Sequence, residues 1–399
     1  MKIFTATPRA FLTEKDDDDS FFSRDMGLTC HALQKAGVDS KVVLLDGSDV
    51  KLHPDIVRAS LEQMESDKWW AQFKLDAVVL CAWVAPRYTP IAKAIKESGA
   101  KLIVRCDSGE PYSQWQKTVG QSFYTHYLAA RYKGKGWLYA CGFSLLKTLL
   151  FYIPAVYEDR IVKHLSYADL ILNETPEGVR LLKALLVKKG RDDIAVRVQC
   201  VPHPVVDGVG YSEKIKKEKR IISVGRWDNY QKNTPLLIRT LKNVLAKHTD
   251  YDAHLFGGGE DVLRKRMSRL PEDIRSRIIV RGKVDHAALI PEYQKSRILF
   301  MPSRSEACSV AAEEALVCGC SIVGGRHIFC LQNFVSKDGG TLASEYSVNG
   351  LTEALSAEIQ RWESGSFSAA QSGRLWKEAV AASVIAQAIL RAVVNSSSI

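Results

Sequence analysis

The stretch 298–325, ILFMPSRSEACSVAAEEALVCGCSIVGG, reads as strand, polar turn, helix and strand in immediate succession. Residues 298–301 are a short apolar run ended by Pro302, the pattern of a parallel strand covered on both faces. A polar turn follows from Ser303 to Ser305, then Glu306, and Ser309 is suited to cap a helix that runs to about Val317 and stops at Gly319. The Glu that a capping box needs at the third helical position comes one residue late, at Glu313. Residues 320–323 resume as strand, and Gly324 with Gly325 break it.

A strand feeding a helix N-terminus offers unpaired N–H groups and the positive end of the helix dipole, which suits an anion. Glu306 precedes that terminus. Glu314 lies five residues inside the helix from Ser309, roughly 7 to 8 Å along the axis. That separation fits a molecule with a diphosphate at one end and ribose hydroxyls at the other. It fits equally an ordinary helix with surface carboxylates.

The elements on either side extend the same alternation. Upstream, 221–224 is a strand ended by Gly225. A polar turn from Arg226 to Asn233 leads into a helix from Pro235, a residue suited to a first helical turn, to Lys247. Strand 252–256 ends in Gly257, Gly258 and Gly259, and 278–280 with Gly282 gives another strand and turn. Arg226 and Lys232, six residues apart in one turn, could flank a diphosphate or simply be solvated. With the glycine run and the Ser309 helix they make three phosphate-suited loops on one sheet edge.

The first half repeats the scheme, with strands at 2–7, 38–45, 76–82, 101–106, 168–173 and 196–201 and helices at 26–36 and 89–98. Strands separated by helices predict parallel, doubly wound sheets, with ligands beyond the carboxyl ends of the strands. The charged run 213–220, EKIKKEKR, marks a boundary. The expected organisation is a first domain at 1–205, a linker at 206–219, a second domain at 220–375 and a last helix, about 373–394, carrying 376–399 back onto the first domain.

A chain of 399 residues is too long for one core, and 46% apolar with 25% charged residues is ordinary for a folded protein. The net charge of +10 draws it to something anionic. Nucleic acid is the weakest choice, because no aromatic and basic interleaving supports it. Nine cysteines include no pair at zinc spacing and read as reduced thiols. The opening residues read directly as a strand, so a cytoplasmic protein is expected. The run Asp16 to Asp19 contains an Asp-x-Asp pattern but reads better as a solvated loop than as a metal site. His203, between two prolines, reads as structural. The segment from Arg131 to Tyr157 is basic at its start and then 21 residues long from Trp137 with Lys147 its only charge. It could be a buried helix pair or docking surface, a contact with an anionic membrane face, or a span interrupted by Pro154.

VGRWDNYQKN at 224–233, FGGGE at 256–260, GKVDHAAL at 282–289 and PSRSEACSVAAEEAL at 302–316 resemble the donor-binding domain of retaining glycosyltransferases with the GT-B fold, glycosyl transferases group 1. Glu306 and Glu314 match that family's paired-Glu motif. The resemblance covers about 220–325, and the final helix with Trp376 is similar to the family's crossing segment. It implies an α/β fold of two Rossmann-like parallel-sheet domains facing across a cleft. It further implies that Arg226 and Lys232 hold the donor diphosphate, Glu314 accepts from the ribose and Glu306 contacts the transferred sugar. Cys308 and Ser309 would offer backbone amides, Gly258 would lie beside the phosphates, and Gly282, Lys283 and Val284 would line the base. Asp107, after the strand 101–106, would touch the sugar or an acceptor hydroxyl, or else cap its own turn.

The implied activity moves a sugar from a nucleoside diphosphate sugar to an acceptor hydroxyl with retention, using no metal and no cofactor beyond the donor. A glycan or lipid-linked acceptor is expected, as in polysaccharide or glycolipid synthesis, with the protein peripheral on the inner membrane face. A nucleotide-sugar epimerase or hydrolase, or a non-catalytic nucleotide-sugar binder, remains open on the same fold.

Overall fold

The computed structural model describes residues 1–8, 22, 25–45, 53–81, 88–106, 123, 127, 130–131, 134–151, 154–306 and 308–395. They divide into two units, Met1–Val206 with Val380–Ile399, and Asp207–Ala379.

In the first unit seven strands, β1 (Ile3–Thr7), β2 (Val42–Leu45), β3 (Ile56–Ala59), β4 (Ala77–Leu80), β5 (Lys101–Cys106), β6 (Leu170–Asn173) and β7 (Val198–Cys200), form one sheet in the order β3-β2-β1-β4-β5-β6-β7. Every described pairing is parallel, for example Ile3 with Ala77 and Ile103 with Leu170. Successive side chains enter opposite layers. Phe4, Val78, Leu102 and Val104 join one core, while Ile3, Val79, Ile103 and Leu172 join the other with Ile385 and Ile389. Burial on both faces is why these strands are apolar without alternation. β3 had no counterpart in the sequence reading; only its end residues are buried, so its pattern is weak.

The second unit holds β8 (Glu218–Val224), β9 (Asp252–Phe256), β10 (Ile278–Gly282), β11 (Ser296–Met301), β12 (Ser321–Gly325) and β13 (Gly340–Ala343), all parallel, in the order β10-β9-β8-β11-β12-β13. Ile221, Leu255, Ile298 and Phe300 pack under Leu237, Leu241 and Val244 of the helix Thr234–Lys247. Strand order reverses between β8 and β11, and in a doubly wound sheet that switch point opens a crevice at the carboxyl ends.

Three differences from the expected elements have local causes. β8 begins three residues early, inside the charged run, because those charges are paired: Arg220 Nη1 meets Glu292 at 2.8 Å and Nη2 meets Glu218. The Lys217 ammonium donates to the carbonyls of Tyr293, Ser296 and Cys318 at 3.0, 2.7 and 2.8 Å, and burial lowers its pKa. The expected last helix is two, Ala369–Val380 and Ala382–Asn395. Between them Val205 N–H donates to Val380 O (2.8 Å) and Val205 O accepts from Ala382 N–H (2.9 Å), taking groups a continuous helix would use itself. Trp376, on the earlier helix, is buried in the second unit against Phe334.

The third difference is the apolar segment. It forms the helices Trp137–Phe151 and Pro154–Ser166, and among the described residues no helix is long and apolar enough to cross a membrane. The first of them is not a buried helix either. Trp137, Leu138, Tyr139, Leu145, Leu146 and Leu149 are each more than half exposed, while Ala140 and Ser144 are buried.

Candidate active site

Glycines join the carboxyl ends of β8, β9 and β10. Gly225 N–H donates to Phe256 O (3.0 Å), Trp227 N–H to Gly258 O (2.8 Å) and Gly257 N–H to Gly282 O (2.7 Å). Gly257 has φ +112°, and a Cβ there would collide with the Gly225 carbonyl, so only glycine lets the two loops meet. Above Gly258 the space is open: apart from its chain neighbours, no described residue comes within 4 Å of where a side chain would begin. Trp227 anchors the first loop from below, buried and donating through Nε1 to Phe256 O at 3.1 Å.

The turn after β11 is tied to that same loop. Arg304 N–H donates to Gln231 O (2.8 Å), and Gln231 Nε2 donates to Ser305 O (2.6 Å). The Arg304 guanidinium stacks on Tyr230, 4.3 Å from the ring centre, and donates to Asn233 Oδ1 at 2.9 Å. Asn233 sits at φ +49°, a conformation Asn tolerates better than most residues, and its Nδ2 donates to Tyr346 Oη at 2.8 Å. Tyr346 in turn donates to Pro302 O at 2.7 Å. Burial pushes its phenol up to about 12, so it stays a neutral donor at physiological pH.

Within this frame Lys232 Nζ meets Glu306 Oε1 at 2.6 Å, and Gln231 Nε2 reaches the other oxygen at 3.3 Å. The Lys232 stem runs beside Gly225, where a Cβ would come within 3.1 Å of Lys232 Cγ and Cδ. Arg226 is exposed, and among the described residues its guanidinium has no ion-pair partner. Ser309 caps the helix Val310–Val317, its Oγ accepting Ala312 N–H at 3.3 Å. Glu313, the late residue of the capping box, instead accepts Cys308 Sγ–H at 3.3 Å. Thus two carboxylates, a paired cation, an exposed cation and a capped helix end share the edge formed by β8 and β11.

Glu314 is buried on that helix, and its Oε1 lies 2.5 Å from His286 Nε2. His286 begins the helix His286–Lys295 just after Gly282, which is buried at φ +72°, the exposed Lys283 and the half-buried Val284. This histidine stands in the segment GKVDHAAL, where no sequence pattern marks it. It follows β10 and Glu314 follows β11, two strands that are not neighbours, so spacing gave no signal. Asp107 and the run Asp16 to Asp19 lie outside the described residues. Among the described residues no group of His, Cys, Asp or Glu is placed to hold a metal ion. His203 is buried, with Nδ1 3.0 Å from Pro204 O.

Chemically, this edge can bind an anion bearing hydroxyl donors. Lys232 and Arg226 supply charge, the Ser309 helix end supplies N–H groups, and Glu306 and Glu314 accept. No curated protein matches the sequence. Across its whole length the chain is similar to solved structures that share its fold. These include Anabaena HepE in complex with UDP (12% identity, 99% of this chain and 100% of that one, TM-score 0.67). The lipopolysaccharide outer core galactosyltransferase WaaB gives 14% identity, 99% of each chain and a TM-score of 0.62. Sucrose-phosphate synthase from Thermosynechococcus elongatus gives 14%, 100% of each chain and 0.64. At such identities the likeness speaks for the fold, two parallel-sheet units of the GT-B kind. Residues 218–361, within the second unit, match the family model described as glycosyl transferases group 1.

Proposed function

We propose that this protein is a retaining glycosyltransferase that moves a sugar from a nucleoside diphosphate sugar to an acceptor hydroxyl. The observation that carries the reading is the Lys232 to Glu306 pair at 2.6 Å, in a loop stitched to the Ser309 helix end. When the donor breaks, negative charge grows on the departing diphosphate. Cations and helical N–H groups fixed beforehand lower the barrier there, so the mechanism needs no metal ion. Lys232 would leave Glu306 for a phosphate oxygen, and Arg226 would meet the other phosphate. Glu306, released, would accept from hydroxyls of the transferred sugar. Glu314 would accept from the ribose, Cys308 and Ser309 would donate backbone N–H groups, Gly258 would admit the phosphates closely, and Gly282 to Val284 would line the base. Asp107 is assigned to the sugar or acceptor side. HepE was crystallised with UDP and WaaB is a galactosyltransferase, which supports a nucleotide-sugar donor here.

A thermal-shift screen over UDP, ADP, GDP and their sugars tests this, because tight binding raises the melting temperature by mass action. One nucleotide should stabilise the protein, and Lys232→Glu should abolish its shift. A retained shift would reject the role of Lys232. Product analysis with and without an acceptor then separates transfer from epimerisation or hydrolysis.

The acceptor is proposed to be a glycan or a lipid-linked sugar, with the protein resting on the cytoplasmic face of an anionic membrane. The exposed apolar helix Trp137–Phe151, with no acidic residue and with Arg131 and Lys135 exposed before it, supports this. A helix apolar but for Lys147, with most of its described large side chains exposed, suits a bilayer interface. Flotation with phosphatidylglycerol vesicles should carry the protein upward; no flotation at low salt would rule out the membrane reading.

A further inference from the structure

We propose that His286 is a positioning residue that holds the Glu314 carboxylate ready for the vicinal hydroxyls of a nucleotide ribose, and so sets the preference for ribo- over deoxyribonucleotides. The inference rests on the reading of Glu314 as the ribose acceptor.

Glu314 is buried, and a buried carboxylate is costly without donors. His286 provides one through Nε2 to Oε1 at 2.5 Å, and no described residue hydrogen-bonds Oε2. The last torsion of a Glu side chain is broad and roughly two-fold, so a free carboxylate turns easily. Pinning one oxygen fixes the plane and leaves the second able to accept. The imidazole is itself well held. It heads a helix whose N-cap Asp285 carbonyl accepts from Ala288 and Leu289, and it follows a turn fixed by Gly282 at φ +72°. The two helices that carry the pair pack on one another. Glu314 is five residues along its helix from Ser309, roughly 7 to 8 Å, the reach from a diphosphate to its ribose. A histidine recruited only to neutralise a buried acid would need no such placement, and it would leave ribose discrimination untouched when replaced.

Isothermal titration of UDP, ADP and GDP, and of their 2′-deoxy counterparts, tests this on the full chain. Wild type, Glu314→Ala, His286→Phe and His286→Gln are compared, with inorganic pyrophosphate as the control for an intact phosphate subsite. Glu314→Ala should collapse the ratio of ribo- to deoxyribonucleotide affinity. His286→Phe should lower it about ten-fold, the usual worth of one charge-assisted hydrogen bond, and His286→Gln should restore most of it through its amide donor. Pyrophosphate affinity should be unchanged throughout. If the phenylalanine variant unfolds, His286→Asn, whose amide stops short of Glu314, gives the same comparison. A wild-type ratio in His286→Phe or His286→Asn, with the ratio lost in Glu314→Ala, would overturn the role of His286 alone. A wild-type ratio in Glu314→Ala would overturn the ribose reading and His286 with it.

Discussion

Two helices of this protein invert the usual rule of burial in opposite senses. Val310–Val317 is apolar apart from Glu313 and Glu314, and it is buried so completely that both carboxylates go inside with it. Trp137–Phe151 is longer and just as apolar, and it leaves Trp137, Leu138, Tyr139, Leu145, Leu146 and Leu149 in the open. In the first, charge is buried because donors meet it: Cys308 on Glu313 and His286 on Glu314. In the second, apolar surface stays exposed among the described residues. Composition alone does not separate the two cases; the partners do.

The sharpest way to break the comparison is to remove charge from the edge that the buried helix serves. Lys232→Ala should lower turnover about 10² to 10³-fold at saturating donor, the usual cost of losing one fixed donor to developing charge. A loss below ten-fold in steady-state rates would detach Lys232 from the chemistry. Next in size is packing. Leu316→Ala, in the buried helix, should cost about 2 to 5 kcal/mol in a denaturant titration, whereas Leu146→Ser on the exposed helix should stay within about 0.5 kcal/mol. Equal costs would mean that the exposed helix is covered in solution. Third, Leu145→Glu with Leu149→Glu should leave turnover of a soluble acceptor unchanged while abolishing vesicle flotation, which separates membrane contact from folding. Smallest is Tyr346→Phe. It removes a hydroxyl that bridges Pro302 O, after β11, and Asn233 Nδ2, in the loop after β8, and should cost about 1 to 2 kcal/mol of stability.

Most sheet strands were legible because burial on both faces leaves an unbroken apolar run, whereas β3 and β13, with their middle residues only half-buried, were not; the loops were legible because glycines and Ser309 sit where the turns need them. What stayed hidden was set by distant partners. The break at Ala381 depends on Val205, and the early start of β8 depends on Glu292, 72 residues from Arg220. The His286 to Glu314 pair requires knowing that β10 and β11 lie on one sheet with two strands between them. The exposed helix was recognisable as apolar, but its exposure follows from how few of the described residues pack on it. Of the two cations read from one loop, Lys232 meets Glu306 and Arg226 stands exposed; no spacing rule tells them apart.

The most direct measurement is a structure of the protein with the nucleoside diphosphate that stabilises it most. The account predicts the diphosphate between Arg226, Lys232 and the N-terminus of the Ser309 helix, with Lys232 moved from Glu306 to a phosphate oxygen. A diphosphate bound elsewhere, with the 2.6 Å Lys232 to Glu306 pair intact, would contradict it.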